Sequence, residues 1–202
     1  MRSRIAAGLA VLALTTILWA ACDVPSSAAV DELLIWVEVD RKTLTLYRNG
    51  VEQKHWTVAT GRWETPTPIG VFRINSRFSG RMSGFGTCFL GLNVPWGQYG
   101  IHGTDKPESI GSNSSHGCIR MRVKDAEELY ALVPNRTKVV IEGSPYGEAG
   151  PTLRKLGDGD RSSAVRALQA RLRALGYADF TPDGSYGAAT ERAVQRARKA
   201  LG

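Results

Sequence analysis

Apolar and β-branched residues in the first two thirds of the chain come in short runs cut by polar pairs and glycines, a rhythm of strands and turns. Residues 33–39 and 43–48 are such runs, parted by the polar stretch 40–42. Asn49 with Gly50 then supplies a type I′ turn signal before a third run at 51–58, which predicts an opening β-meander. The stretch 65–70 holds two prolines that cannot donate to a ladder, so it is excluded from a central strand and leads into a strand at 71–75. Glycines 80, 84, 86, 91, 97, 100 and 103 divide the next part of the chain into short pieces, as a sheet curving round a cleft requires. Residues 125–132 carry a helical pattern stopped by Pro134, and 138–142 reads as the strand that closes the sheet.

Prolines and glycines crowd residues 144–152, which reads as a linker, and the rhythm then changes. Val165, Leu168, Leu172 and Leu175 stand at helical spacing, with Ser162 or Ser163 as cap and Gly176 as terminator. A turn containing Asp183, Gly184 and Gly187 precedes a second helix running from Ala188 or Thr190 to Leu201. The predicted architecture is a mainly β domain with a short helix over 33–143, the linker 144–152, and a small all-α domain over 153–202.

The leader differs from both. Arg2 and Arg4 open the chain, and residues 5–21 carry no charge, the pattern of a secretory signal over 1–29. Trp19-Ala20-Ala21-Cys22 resembles a lipobox, with lipidation of Cys22 expected. Cleavage after Ala28 or Ala29, or an uncleaved anchor, are the alternatives. Each places the remainder in the cell envelope, outside the cytoplasm. The formal charge of +7 falls to +5 without Arg2 and Arg4, which suits an anionic envelope polymer or a lipid surface. Dispersed Lys and Arg, with no recognition motif, argue against nucleic acid. Three cysteines in an exported chain do not make a disulfide framework. Cys88, in an apolar run, reads as a buried free thiol, with a bridge to Cys118 as the alternative.

The densest chemistry lies in Ser115-His116-Gly117-Cys118-Ile119-Arg120, preceded by His102-Gly103-Thr104. In an extended segment, positions i and i+2 share a side, which would set the His116 imidazole beside the Cys118 thiol as its base. A zinc set of His102, His116 and Cys118 with Asp105 or Cys88 is the rival, disfavoured by the tight spacing. Neither a metal nor a cofactor is expected.

These motifs resemble the signature of the L,D-transpeptidase catalytic domain. Ala59-Thr60-Gly61, residues 65–72, Gly91-Leu92-Asn93, Pro95-Trp96 and residues 101–121 extend the likeness. The resemblance implies a partly open β-sandwich and a cysteine enzyme acting on peptidoglycan stem peptides, attacking the bond between the L-centre of the third residue and a D-alanine. It makes Cys118 the nucleophile and His116 its base, with Ser115 and Gly117 as candidates for orienting the imidazole. Backbone N–H groups near Gly117 and Cys118 would hold the oxyanion. His102 and Gly103 would line the substrate site, Arg120 would hold a substrate carboxylate or shape the pocket, and Trp96 and Tyr99 would serve as cleft platforms or as loop packing. The thioester would pass to an acceptor amine, forming a cross-link, or to water, as in a carboxypeptidase or endopeptidase. A catalytically silent wall-binding scaffold is a further alternative. Carbapenem-type β-lactams would acylate the same thiol.

Residues 153–202 resemble the small helical peptidoglycan-binding domain, on Leu156-Gly157-Asp158-Gly159, Val165 to Gln169, Leu175-Gly176-Tyr177 and Asp183 to Gly187. Asp183 and Tyr186 are the candidate wall contacts. Ala197 stands where the family commonly has an aromatic, which weakens the expected packing of the last helix.

Overall fold

The computed structural model describes residues 31–145 and 155–202. Cys22, the leader and most of the proposed linker fall outside them. Ten strands and three α-helices follow in chain order among the described residues. The strands are β1 (Leu33–Glu38), β2 (Thr43–Arg48), β3 (Val51–Thr57), β4 (Thr60–Gly61), β5 (Gly70–Met82), β6 (Gly86–Leu92), β7 (Tyr99–Gly103), β8 (Asn113–Ser115), β9 (Ile119–Met121) and β10 (Lys138–Glu142). The helices are α1 (Val123–Leu132), α2 (Ser163–Ala174) and α3 (Ala188–Leu201).

The meander forms as the pattern predicts. Asn49 and Gly50 both take positive φ, 53° and 78°, as a type I′ turn demands, β2 and β3 pair antiparallel across it, and β1 pairs antiparallel with β2. The eight-stranded sheet runs β3-β2-β1-β10-β5-β6-β7-β9, while β4 and β8 make a separate two-stranded ribbon. Strand β5 joins the halves of the large sheet: Gly70–Arg73 pair with β10, and residues 74–82 pair with β6. The inward rows of both halves meet in one core, where Ile35, Leu44, Ile74, Leu90, Ile101 and Ile119 are all but completely buried. Burying each such side chain favours folding by about 1.5–3 kcal/mol. Helix α1 adds Ala126 and Leu129 to that core.

Two expectations needed revision. Strand β5 continues well past residue 75, because its second half is a largely exposed hairpin arm with no apolar row to announce it. Gly91 and Gly100, read as chain breaks, lie inside strands β6 and β7. A Cβ at Gly100 would lie 2.3 Å from the Phe89 ring, and one at Gly91 only 2.1 Å from Ser76 Oγ. These two glycines make room for a neighbour; they do not end a strand.

In the C-terminal region the Ser162 hydroxyl caps α2 by accepting from the Val165 N–H at 3.2 Å. The small core of Leu172, Ala178 and Ala193 takes its aromatic cover from Tyr177 and Phe180, with Ala197 packed beside them. Gln169, 1% exposed, ties the region together. Its amide nitrogen donates to Asp183 Oδ1, the Ser185 carbonyl and Thr190 Oγ1, and its oxygen accepts from the N–H groups of Asp183 and Gly184. Among the described residues no helix is long and apolar enough to cross a membrane.

Candidate active site

Strands β7 and β9 run parallel, with Ile101 opposite Ile119, His102 opposite Arg120 and Gly103 opposite Met121. Ile101, Ile119 and Met121 point into the core, so the alternation of a strand sends His102 and Arg120 to the other face. Carrying the register back places Cys118 opposite Gly100 and diagonal to His102 on that same face. The Gly100 N–H is close enough to the Cys118 thiol to draw its pKa down. Cysteine, histidine and arginine therefore converge through sheet register.

His102 is only 2% exposed. Its Nδ1–H donates to the Gly103 carbonyl at 2.5 Å, leaving the lone pair on Nε2. Phe89 stacks on the imidazole with centroids 5.7 Å apart, and Phe85 lies 4.6 Å away at a tilt. The hairpin turn carrying Phe85 is tied down by Asp105, which accepts from the Gly84 N–H at 2.8 Å. Burial pulls the His102 pKa down to about 4. The Gly103 carbonyl works in the opposite sense, and the Arg120 charge adds to the depression. Burial likewise pushes the half-buried Cys118 thiol up, while the Gly100 N–H and Arg120 draw it down. Arg120 Nε is buried without a hydrogen-bond partner.

The Ser115–Cys118 turn corrects the expected pairing of His116 with Cys118. Gly117 takes φ of 112°, which breaks the extended geometry on which that pairing depended. His116 is exposed, and its Nε2 accepts from Arg62 Nη2 at 2.6 Å. The roles suggested for Ser115 and Gly117 change with it. Ser115 Oγ donates to the Cys118 carbonyl at 2.6 Å and accepts from the Gly117 N–H at 2.9 Å. The hydroxyl thus holds the turn and does not orient an imidazole, and the Gly117 N–H is engaged there and not offered to an oxyanion. Gly103, placed on the substrate side by sequence, instead supplies the carbonyl that orients His102.

Trp96 is not an open platform. It is 4% exposed, meets Phe72 edge-on at 6.0 Å, and lies under the backbone of Gly184. The Tyr99 ring is half-buried between Gly97 and Gly117, where an added Cβ would come within 2.8 and 2.6 Å of it. Burial and the nearby Cys118 push its phenol up, against a hydrogen bond from Trp96. In the helical region, Asp183 is exposed, but Oδ1 is occupied by Gln169 and by the Ser185 N–H at 2.8 Å. Tyr186 is buried, its hydroxyl donating to Glu191 at 2.7 Å and its pKa pushed up to about 12 by burial and that carboxylate. Both line an open depression of about 420 Å³ with Arg161 and Phe180.

Cys88 and Cys118 are both free thiols. Cys88 is 3% exposed, and burial, with the Glu127 charge, pushes its pKa up to about 11. The zinc set does not converge: among the described residues no three His, Cys, Asp or Glu side chains are grouped to hold an ion. Arg62, Phe85 and Phe89 had no role in the sequence reading, and Asp105 entered it only as a candidate zinc ligand. Only Phe89 left a signal, in its two-residue spacing from Gly91 on the strand facing β7.

Residues 32–141 match the family described as L,D-transpeptidase catalytic domain, and residues 161–202 match the one described as "Putative peptidoglycan binding domain". The relative "Putative L,D-transpeptidase YkuD" of Bacillus subtilis is 45% identical over 107 residues, covering 53% of this chain and 64% of its own length. Its namesake in Bacillus licheniformis is 42% identical over 107 residues, with the same coverage. The chain therefore spans just under two thirds of the length of these relatives. L,D-transpeptidase 3 from Mycobacterium tuberculosis, solved with a faropenem-derived adduct, shares the fold at a TM-score of 0.51 and 19% identity, over 56% of this chain and 61% of that one.

Proposed function

This chain belongs to the L,D-transpeptidase family, and on that premise we propose that it cross-links peptidoglycan stem peptides through a thioester on Cys118, with His102 as the proton carrier. The observation that carries the reading is the shared sheet face on which a buried histidine, oriented by the Gly103 carbonyl, lies diagonal to Cys118.

His102, neutral at physiological pH, accepts the thiol proton on Nε2 as sulfur adds to the carbonyl between the third stem residue and D-alanine. The Cys118 N–H is the backbone donor for the oxyanion, because its Gly117 neighbour is engaged by Ser115. The intermediate collapses as His102 returns the proton to the departing D-alanine amine, leaving the thioester. A side-chain amine of a second stem peptide then attacks. His102 takes its proton, an amide forms and the thiol is restored. Arg120, with a buried unpartnered nitrogen beside both groups, supplies positive charge for a substrate carboxylate. The C-terminal region acts as the wall-binding part through the depression lined by Asp183 and Tyr186. The protein works in the cell envelope, exported by its leader and held to the membrane through a lipid on Cys22. The β-lactam adduct on the mycobacterial relative makes penems the natural covalent probes of this thiol.

The test is incubation with a disaccharide tetrapeptide, followed by intact mass of the enzyme and analysis of products. The expected result is an adduct on Cys118, absent from Cys118→Ala, and a dimer joined through two third-position residues. Shortened monomers alone would assign hydrolysis instead. Neither adduct nor product would leave a wall-binding scaffold.

A further inference from the structure

The helical region meets the catalytic domain at a small set of contacts. The Ile69 N–H donates to Ser163 Oγ at 2.8 Å. The Arg166 guanidinium lies 5.9 Å from the centre of the Trp96 ring, and a Cβ at Gly70 would sit 2.9 Å from its Nη1. Gly184, at φ 80°, presses its backbone on that indole so closely that a Cβ would fall 2.4 Å from Cε3.

Both catalytic-domain surfaces reached this way lead to the Cys118 turn. Trp96 adjoins Gly97, against which the Tyr99 ring packs, and that ring also rests on Gly117. The loop 65–70 carries Ile69 at one end. At the other end Thr65 Oγ1 donates to the Ser115 carbonyl at 3.1 Å, and the Pro66 carbonyl lies 3.3 Å from where a Cβ on Gly117 would stand. Between them Thr67, 2% exposed, accepts from the Gly61 N–H at 2.8 Å and pins the loop to β4. Interiors packed this closely transmit displacement.

We propose that the helical region is a positioning element of the acyl-transfer site as well as a wall-binding part, holding the Ser115–Cys118 turn through Trp96 and Tyr99 and through the 65–70 loop. Ser163 and Gly184 are then positioning residues for a reaction they never touch. The inference rests on the assignment of Cys118 as nucleophile.

The experiment measures acylation of the full chain by a soluble penem, with no wall present, as a function of penem concentration. Gly184→Ala should lower the saturating rate about tenfold and Ser163→Ala about threefold, with the half-saturating concentration unchanged, since misplacing a reacting group costs rate before affinity. Rates within about 1.5-fold of the parent in both variants would overturn the proposal. Circular dichroism reports whether Gly184→Ala unfolds the helical region. If it does and acylation keeps its speed, the proposal also fails, whereas unfolding with slowed acylation supports it. Absence of acylation in the parent would instead refute the assignment of Cys118.

Discussion

His102 and His116, both upstream of Cys118 in the chain, sit in very different ground. His102 rides a strand, is closed in by Phe85 and Phe89, and gives its Nδ1–H to the neighbouring carbonyl. His116 rides a turn, stands in solvent and takes a hydrogen bond from Arg62. The residue two positions from the thiol is engaged with Arg62 at the surface, and the residue sixteen positions away shares the thiol's sheet face. Strand register sets the distance between functional groups here, and counting along the chain fails at the first glycine with positive φ.

The sharpest way to break this contrast is to remove each imidazole in turn. His102→Gln should slow penem acylation about 10²- to 10⁴-fold, the range for loss of a general base. Comparable rates in this variant and the parent would return the role to His116.

The pH profile sharpens the contrast further. His102 works only when neutral, and its pKa lies at about 4, so the acylation rate should hold between pH 5 and 7 and fall about tenfold per unit below 4. A fall beginning near 6.5 would count against a buried imidazole as the base. The same depression has a stability consequence. The unfolded chain binds this proton near pH 6.5 and the folded one near 4, so protons favour unfolding across that window. About 3 kcal/mol should be lost as pH falls through it, which denaturant midpoints would show and His102→Gln would abolish.

A smaller effect is expected from Ser115→Ala. That change leaves the Gly117 N–H and Cys118 carbonyl without their buried partner, costing about 1–3 kcal/mol in thermal or denaturant melts. Acylation should slow about tenfold as the turn loosens. Smallest of all, His116→Gln should change the rate by less than about threefold, since exposed groups outside the reacting set contribute little.

Much of the fold was legible because burial writes itself into sequence. Ile35 with Val37 and Leu44 with Leu46 stand two apart and mark the inward face of each strand, and Asn49-Gly50 has a backbone preference strong enough to name its turn. The second half of β5 was silent because exposed strands have no apolar row. Cys118 could be picked out as a residue type in a motif, but the histidine that shares its sheet face could not. That identity depends on which residue of β7 faces β9, and on Gly117 adopting a left-handed backbone. Trp96 misled for a related reason: an aromatic among prolines and glycines does not disclose that Gly184, far along the chain, will cover it.

Gly117 also limits how this enzyme can diversify. Any side chain there would strike the Tyr99 ring at 2.6 Å and pay for a left-handed backbone as well, so descendants of this chain have a narrow corridor beside Cys118. New preferences for a donor or an acceptor would have to arise in the surrounding walls, with the exposed edge of Phe85 and the Arg62–His116 pair the most permissive places for natural selection to experiment.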